Sequence, residues 1–187
     1  MDKFKAARST DDELYSDFLR GDSAAIEELM TRYGNSLTIF IYGYLHDMQD
    51  AEDMMIEAFA RIVVKRPVIR SGGFKAYLFK TGRNLASRQH MLLTRLSTFC
   101  LDDIEEEISD YRSLEDRALD MERKRALNLC LDRIDPQLKE ALWLVYVEEL
   151  SYEAAARIMG ISRKRVDKLL QKGKEKLRAE LDKEDVG

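Results

Sequence analysis

The stretch Leu150–Arg178, LSYEAAARIMGISRKRVDKLLQKGKEKLR, constrains the fold more than any other part of the chain. Ala154, Ala155 and Ala156 are small enough for one helix to pack closely on another. Gly160 suits the left-handed residue that ends that helix, where a Cβ would be strained. Ser162 can cap the next helix by accepting from a free backbone N–H. Ile158, Ile161, Val166, Leu169 and Leu170 supply buried faces at helical spacing. The pattern predicts a helix-turn-helix whose second helix opens with Arg163, Lys164 and Arg165. In a docked helix-turn-helix this first turn lies nearest the major groove. An ordinary helical hairpin with a solvated basic face has the same pattern.

The charge distribution bears on that choice. The chain has 187 residues and a net charge of −4, which argues against nucleic acid if the charge is spread evenly. It is not. Residues 1–59 carry 5 basic and 13 acidic side chains, and residues 60–97 carry 9 basic and none acidic. Residues 98–150 carry 7 basic and 15 acidic, and residues 151–187 carry 10 and 7. Affinity for a polyanion depends on local phosphate neutralisation, and a merely solvated face mixes signs. The acid-free run therefore predicts a second surface facing a polyanion.

Along the chain, Thr10 and Glu13 form a capping box for a helix through Leu14, Phe18 and Leu19 that ends at Gly21. Asp22 or Ser23 restarts a helix through Ile26, Leu29, Met30 and Tyr33 that continues to Leu45. Asp47–Gln49 reads as a turn and Asp50–Val64 as a third helix. Pro67 ends that helix, and Ser71-Gly72-Gly73 closes a basic loop. A fourth helix runs from Phe74 past His90, with Phe74, Leu78, Thr81 and Leu85 on one face and Lys80, Arg83 and Asn84 projecting away from it. Leu101–Leu119 holds eight acids and two bases and reads as a linker. Ser113 can cap a helix through Leu119, Ala126, Leu127, Leu129 and Leu131. Asp135-Pro136 starts another through Leu138, Ala141, Leu142, Leu144 and Val145. The expected fold class is all-α: two small helical domains, residues 1–97 and 118–187, joined by an acidic linker over 98–117.

Other classes fit poorly. Cys100 and Cys130 are isolated and His46 and His90 lie far apart, so we expect reduced thiols, no metal site and no cofactor. No apolar run approaches the ~20 residues of a membrane span, and the N-terminus lacks a signal-peptide core, so a cytoplasmic chain without membrane insertion is expected. A helical-bundle hydrolase would need inward acids at Glu-x-x-His spacing, which the chain lacks, so we expect no enzyme.

Two surfaces have binding chemistry of their own. Asp50, Asp53 and Glu57 lie on one side of the third helix at spacings of three and four, with Ile56 beside them off the apolar arc. Such a stripe is either solvated or a docking site for a basic protein. In the acid-free segment, the loop residues Lys65, Arg66 and Arg70 can follow phosphates. Lys75, Lys80, Arg83, Asn84 and Arg88 come after them, and Asn84 offers both donor and acceptor to a base edge. Phe74, Tyr77 and Phe79 are interleaved, with Phe74 assigned to the core.

The whole arrangement resembles the extracytoplasmic-function sigma factors, the smallest branch of the bacterial sigma-70 family. Asp50-Ala51-Glu52-Asp53 with Glu57-Ala58-Phe59 is similar to that family's polymerase-binding helix. Ala76-Tyr77-Leu78-Phe79 with Arg83-Asn84-Leu85-Ala86 is similar to the following helix, which faces the −10 promoter element. Asp135-Pro136-Gln137, Glu149-Leu150-Ser151-Tyr152, Ala155, Met159-Gly160-Ile161-Ser162 and Val166 are similar to its −35-reading domain. The resemblance covers residues 11–181. The chain departs from the family at Ile56 (usually Gln), Tyr77 (usually Trp) and Lys164-Arg165 (usually Gly-Thr).

The resemblance implies a non-catalytic promoter-specificity subunit with RNA polymerase core (β and β′ subunits), promoter DNA and an anti-sigma factor as partners. Asp50, Asp53, Ile56 and Glu57 would meet the β′ clamp helices. Lys65, Arg66, Arg70, Lys80, Arg83, Asn84 and Arg88 would serve the −10 region. Ser162, Arg163, Lys164, Arg165, Lys168 and Lys172 would serve the −35 element. The acidic linker would thread toward the polymerase active-site cleft, or act as a tether held off the basic domains by its charge. The alternative function is a helix-turn-helix regulator that never joins polymerase.

Overall fold

The structure is a computed structural model and describes residues 9–97, Glu122, Lys124 and 131–184. Four helices form the N-terminal part: α1 (Asp11–Arg20), α2 (Ser23–Leu45), α3 (Met48–Lys65) and α4 (Phe74–Ser97). The C-terminal part has α5 (Pro136–Leu142), a π-helical turn (Trp143–Val147), α6 (Tyr152–Met159) and α7 (Arg163–Glu184). No strand occurs among the described residues. The expected linker over 98–117, Cys100, Cys130 and most of the helix expected before Leu131 lie outside the described residues.

Local chemistry starts and stops these helices largely where the sequence signals it. Thr10 caps α1 in a reciprocal box, its N–H donating to Glu13 Oε2 at 2.8 Å while its hydroxyl accepts from Glu13 N at 3.3 Å. Gly21 ends α1 at φ 111° and Gly160 ends α6 at φ 69°. Ser151 caps α6, and Ser162 Oγ accepts from Arg165 N at 3.3 Å to cap α7. Helix α3 begins two residues earlier than Asp50, because Asp47 caps it through Asp50 N at 2.7 Å. It ends at Lys65 with Arg66 left-handed at φ 43°, one residue before the proline.

Helix α2 is the hub of the N-terminal part and packs on α1, α3 and α4. Leu29, Leu37 and Ile41 on α2, Ala58 and Ile62 on α3, and Leu78 and Phe79 on α4 are fully buried. Helix α4 approaches α2 closely at Gly82, where a Cβ would stand 2.7 Å from Leu37 Cδ1. In the C-terminal part, α7 presses Val166, Leu170 and Gly173 against α5 and α6.

The π-helical turn breaks the uninterrupted helix expected through Leu144 and Val145. Its wider spacing turns both Trp143 and Leu144 inward. It also brings Glu148 back under the indole, whose Nε1 donates to Glu148 Oε1 at 3.2 Å. The two parts of the molecule then meet, with α4 packed against α6.

Candidate polymerase and nucleic-acid interfaces

The acidic stripe of α3 forms as expected on the face away from Ala51, Ala58 and Ile62. Asp53 is exposed, and Ile56 beside it keeps 52% of its surface open to solvent. Asp50 is partly covered; burial, with the charges of Asp47 and Asp53, raises its carboxyl pKa. Glu57 is less free than its spacing suggests, since Arg61 Nε holds it at 2.7 Å one turn away. The net negative edge therefore rests on Asp50 and Asp53.

The acid-free segment divides into outward and inward sets. Lys65, Arg66 and Arg70 are exposed around the loop 66–73. Lys80, Asn84 and Arg88 are exposed on α4 and, at spacings of four, share one face. Phe74 and Phe79 belong to the core, and Tyr77 is half-buried.

Arg83, expected among the outward set, points elsewhere. Its guanidinium pairs with Glu140 on α5, Nε to Oε1 and Nη2 to Oε2 at 3.4 Å. Only 8% of the Glu140 side chain is exposed, against 26% for Arg83. A carboxylate this buried needs a paired cation, and the nearest one comes from the other domain. The Tyr44 hydroxyl is buried beside this pair, and burial with the Glu140 charge drives its pKa well above the usual tyrosine value.

A second contact of the same kind lies about two turns back along α4. Lys75 Nζ reaches Glu148 Oε2 at 3.1 Å and the Glu148 carbonyl at 2.6 Å. Ser36 on α2 donates to the same carboxylate, which is 2% exposed and also accepts from Trp143. Sequence reading missed both acids, because nothing local marks Glu140 or Glu148 as buried.

On α7 the buried residues Val166, Leu170 and Gly173 leave Lys164, Lys168 and Lys172 on the opposite, exposed face. Arg163 is partly committed, its Nε lying 2.8 Å from Glu153. Arg165 makes one long hydrogen bond to Gln137 Oε1 at 3.4 Å and otherwise faces solvent. The helix-turn-helix thus presents a cationic first turn and a lysine row beyond it. Among the described residues no cluster of His, Cys, Asp and Glu could hold a metal, and no helix is long and apolar enough to cross a membrane.

A two-part helical molecule with a basic helix-turn-helix, a second basic face and an acidic docking helix defines a class: a DNA-binding protein built to hold a protein partner as well. The Sigma-70 region 2 family model matches residues 29–93 and the Sigma-70, region 4 model matches residues 124–177, together well over half of the chain. The chain is 27% identical over 157 residues to the ECF RNA polymerase sigma factor SigM of Bacillus subtilis (strain 168), covering 82% of this chain and 93% of that one. It is also 27% identical over 158 residues to the RNA polymerase sigma-H factor of Pseudomonas aeruginosa, covering 80% and 82%.

Two solved structures share the fold. CnrH in complex with the cytosolic domain of CnrY matches with a TM-score of 0.62 at 21% identity, over 92% of this chain and 97% of that one. The sigma factor RpoE in complex with the anti-sigma factor NepR from Bartonella quintana matches with a TM-score of 0.63 at 19% identity, over 83% and 96%. The chain belongs to the extracytoplasmic-function branch of the sigma-70 family. It is a sigma factor, directing transcription initiation with RNA polymerase, and is not itself an enzyme. This sets aside a regulator that works without polymerase.

Proposed function

We propose a division of labour along the chain. Residues 1–97 hold core polymerase and the −10 element, residues 118–187 read the −35 element, and residues 98–117 connect them. The observation that carries this reading is the placement of three separate charged faces, acidic on α3 and basic on α4 and α7, each free of the core. Asp50, Asp53, Ile56 and Glu57 form the surface for the polymerase β′ subunit, Asp50 and Asp53 supplying charge and Ile56 an apolar contact.

Lys65 at the end of α3, Arg66 and Arg70 in the loop, and Lys80, Asn84 and Arg88 on α4 take the −10 strand. The cations track phosphates and Asn84 meets a base edge. Ser162, Arg163, Lys164, Arg165, Lys168 and Lys172 seat α7 on the −35 element. Arg83 reaches the −10 DNA only after its contact with Glu140 opens, so the two DNA faces work with the domains apart. RpoE of Bartonella quintana is bound to the anti-sigma factor NepR, and we infer that this factor too is held by an anti-sigma protein in the cytoplasm.

The test is assembly and opening. A folded Asp53→Lys variant should lose affinity for purified core polymerase. A Lys80→Ala/Asn84→Ala variant should assemble normally but melt the −10 region poorly, as read by permanganate reactivity. Unchanged polymerase affinity in the first rejects the α3 surface, and normal melting in the second rejects the α4 surface.

A further inference from the structure

We propose that α1 is a positioning element for the loop 66–73, with Asp12 the positioning residue that sets how this loop meets the melted promoter strand. This rests on the assignment of the loop to the −10 strand above. Three residues of α1, each three positions from the next and so on one side of the helix, grip the loop. Phe18 carries the Arg66 guanidinium over its ring at 5.2 Å. Tyr15 donates its hydroxyl to the Pro67 carbonyl at 2.7 Å. Asp12 accepts from Gly72 N through both carboxylate oxygens at 2.9 Å, and from the Ser71 hydroxyl.

The Asp12 contact falls where the loop becomes α4. Gly73 N closes a tight turn on the Arg70 carbonyl at 2.9 Å, and the Gly73 carbonyl accepts from Tyr77 N at 3.0 Å in the first turn of α4. Gly72 sits in that turn at φ 67°, a left-handed conformation that leaves its N–H pointing out of the turn toward Asp12. No Cβ is tolerated at Gly73, where it would stand 2.8 Å from the Arg70 carbonyl oxygen. Between the Phe18 and Asp12 anchor points the loop offers Val68, fully exposed, and Arg70.

Asp12 differs from the other two anchors. Tyr15 and Phe18 are core residues, so their loss would disturb the domain as well as the loop. Asp12, Ser71 and Gly72 lie near the surface, where water can replace each hydrogen bond. Their contact adds little to folding and orders a segment that would otherwise sample many turns. Holding a binding loop in its bound shape lowers the cost of binding without touching the ligand. Serine and glycine bonding both hold Asp12 in its charged form, its pKa lying below the usual carboxylate range.

The experiment uses holoenzyme reconstituted from the full chain and core polymerase, on a promoter duplex selected by that holoenzyme from a random library. Asp12→Ala should lower permanganate reactivity of the −10 thymines about threefold, the scale of one solvent-exposed charged contact. It should also flatten the base preference at −10, with melting temperature and core affinity unchanged. Asp12→Asn, which keeps an acceptor, should restore part of both. Ser71→Ala added to Asp12→Ala should do no further harm, because the two share one contact.

Normal opening and base preference in Asp12→Ala, with Arg70→Ala impaired, would overturn the positioning role and leave the loop's assignment standing. Normal opening in both variants would overturn the two together. Loss of opening that tracks a fall in melting temperature would reduce Asp12 to a folding residue and also overturn the proposal.

Discussion

Replacing Glu140 with alanine should loosen the contact between the two domains. The carboxylate is 8% exposed and neutralised by Arg83, whose side chain keeps 26% exposure. Removing one member of a buried ion pair costs about 3–5 kcal/mol when the survivor stays buried. Arg83 is partly wet and regains water as the interface parts, so we take about half, ~2 kcal/mol. That cost falls on the closed arrangement alone, since both groups are hydrated once the domains separate. An equilibrium between closed and open forms should move about 30-fold toward open.

Spin labels at the exposed Ala60 on α3 and Glu175 on α7 would report the change as a longer, broader distance distribution. The free chain should also bind −10 duplex more tightly, with Arg83 released. In a double-mutant cycle, Arg83→Ala should add nothing to Glu140→Ala on the interdomain distance. A distance distribution identical to wild type in Glu140→Ala, with the fold intact, would refute the reasoning.

Three further outcomes follow from the same geometry. Gly160→Ala should cost about 1–2 kcal/mol, because the residue sits at φ 69° with open space around it and only backbone strain to bear; urea unfolding of the chain checks this. Burial raises the pKa of Tyr33, helped by its bond to Asp11, and that of Tyr44. A raised folded pKa contributes stability present below the ordinary tyrosine value of about 10 and lost as pH rises through the folded value. Alkaline titration should therefore show these two phenolates appearing only with unfolding, as a step in tyrosinate absorbance matched by loss of helix. At the −35 element, Arg165→Ala should relax preference at one base position by about 1–3 kcal/mol, while Lys172→Ala should weaken all sequences alike. Equal weakening of every −35 variant by Arg165→Ala would make Arg165 a phosphate clamp.

What could be read from the chain alone is what neighbouring residues decide among themselves. The Thr10–Glu13 box, the left-handed glycines at Gly21 and Gly160, and the caps at Asp22, Ser162 and Asp135 each involve groups within a few residues. Helical periodicity then places Val166 and Leu170 inside and Lys164, Lys168 and Lys172 outside with no knowledge of the rest of the molecule. The same holds for the stripe on α3, as far as backbone spacing goes, though not for the Arg61 side chain that swings onto Glu57.

Tertiary structure alone decided the pairings between distant charges. Arg83 and Asn84 are adjacent in sequence and both polar, yet one meets Glu140 across the domain boundary and the other meets solvent. Glu148 and Glu149 are equally alike, and the π-helical turn buries the first under Trp143 while the second takes a left-handed backbone at the surface. Asp12, sixty positions from Gly72, carries no mark of the loop it holds. A charge has no periodicity of its own, and its partner depends on which helices are brought together. Burial of apolar side chains makes that choice, and the ions then settle into it.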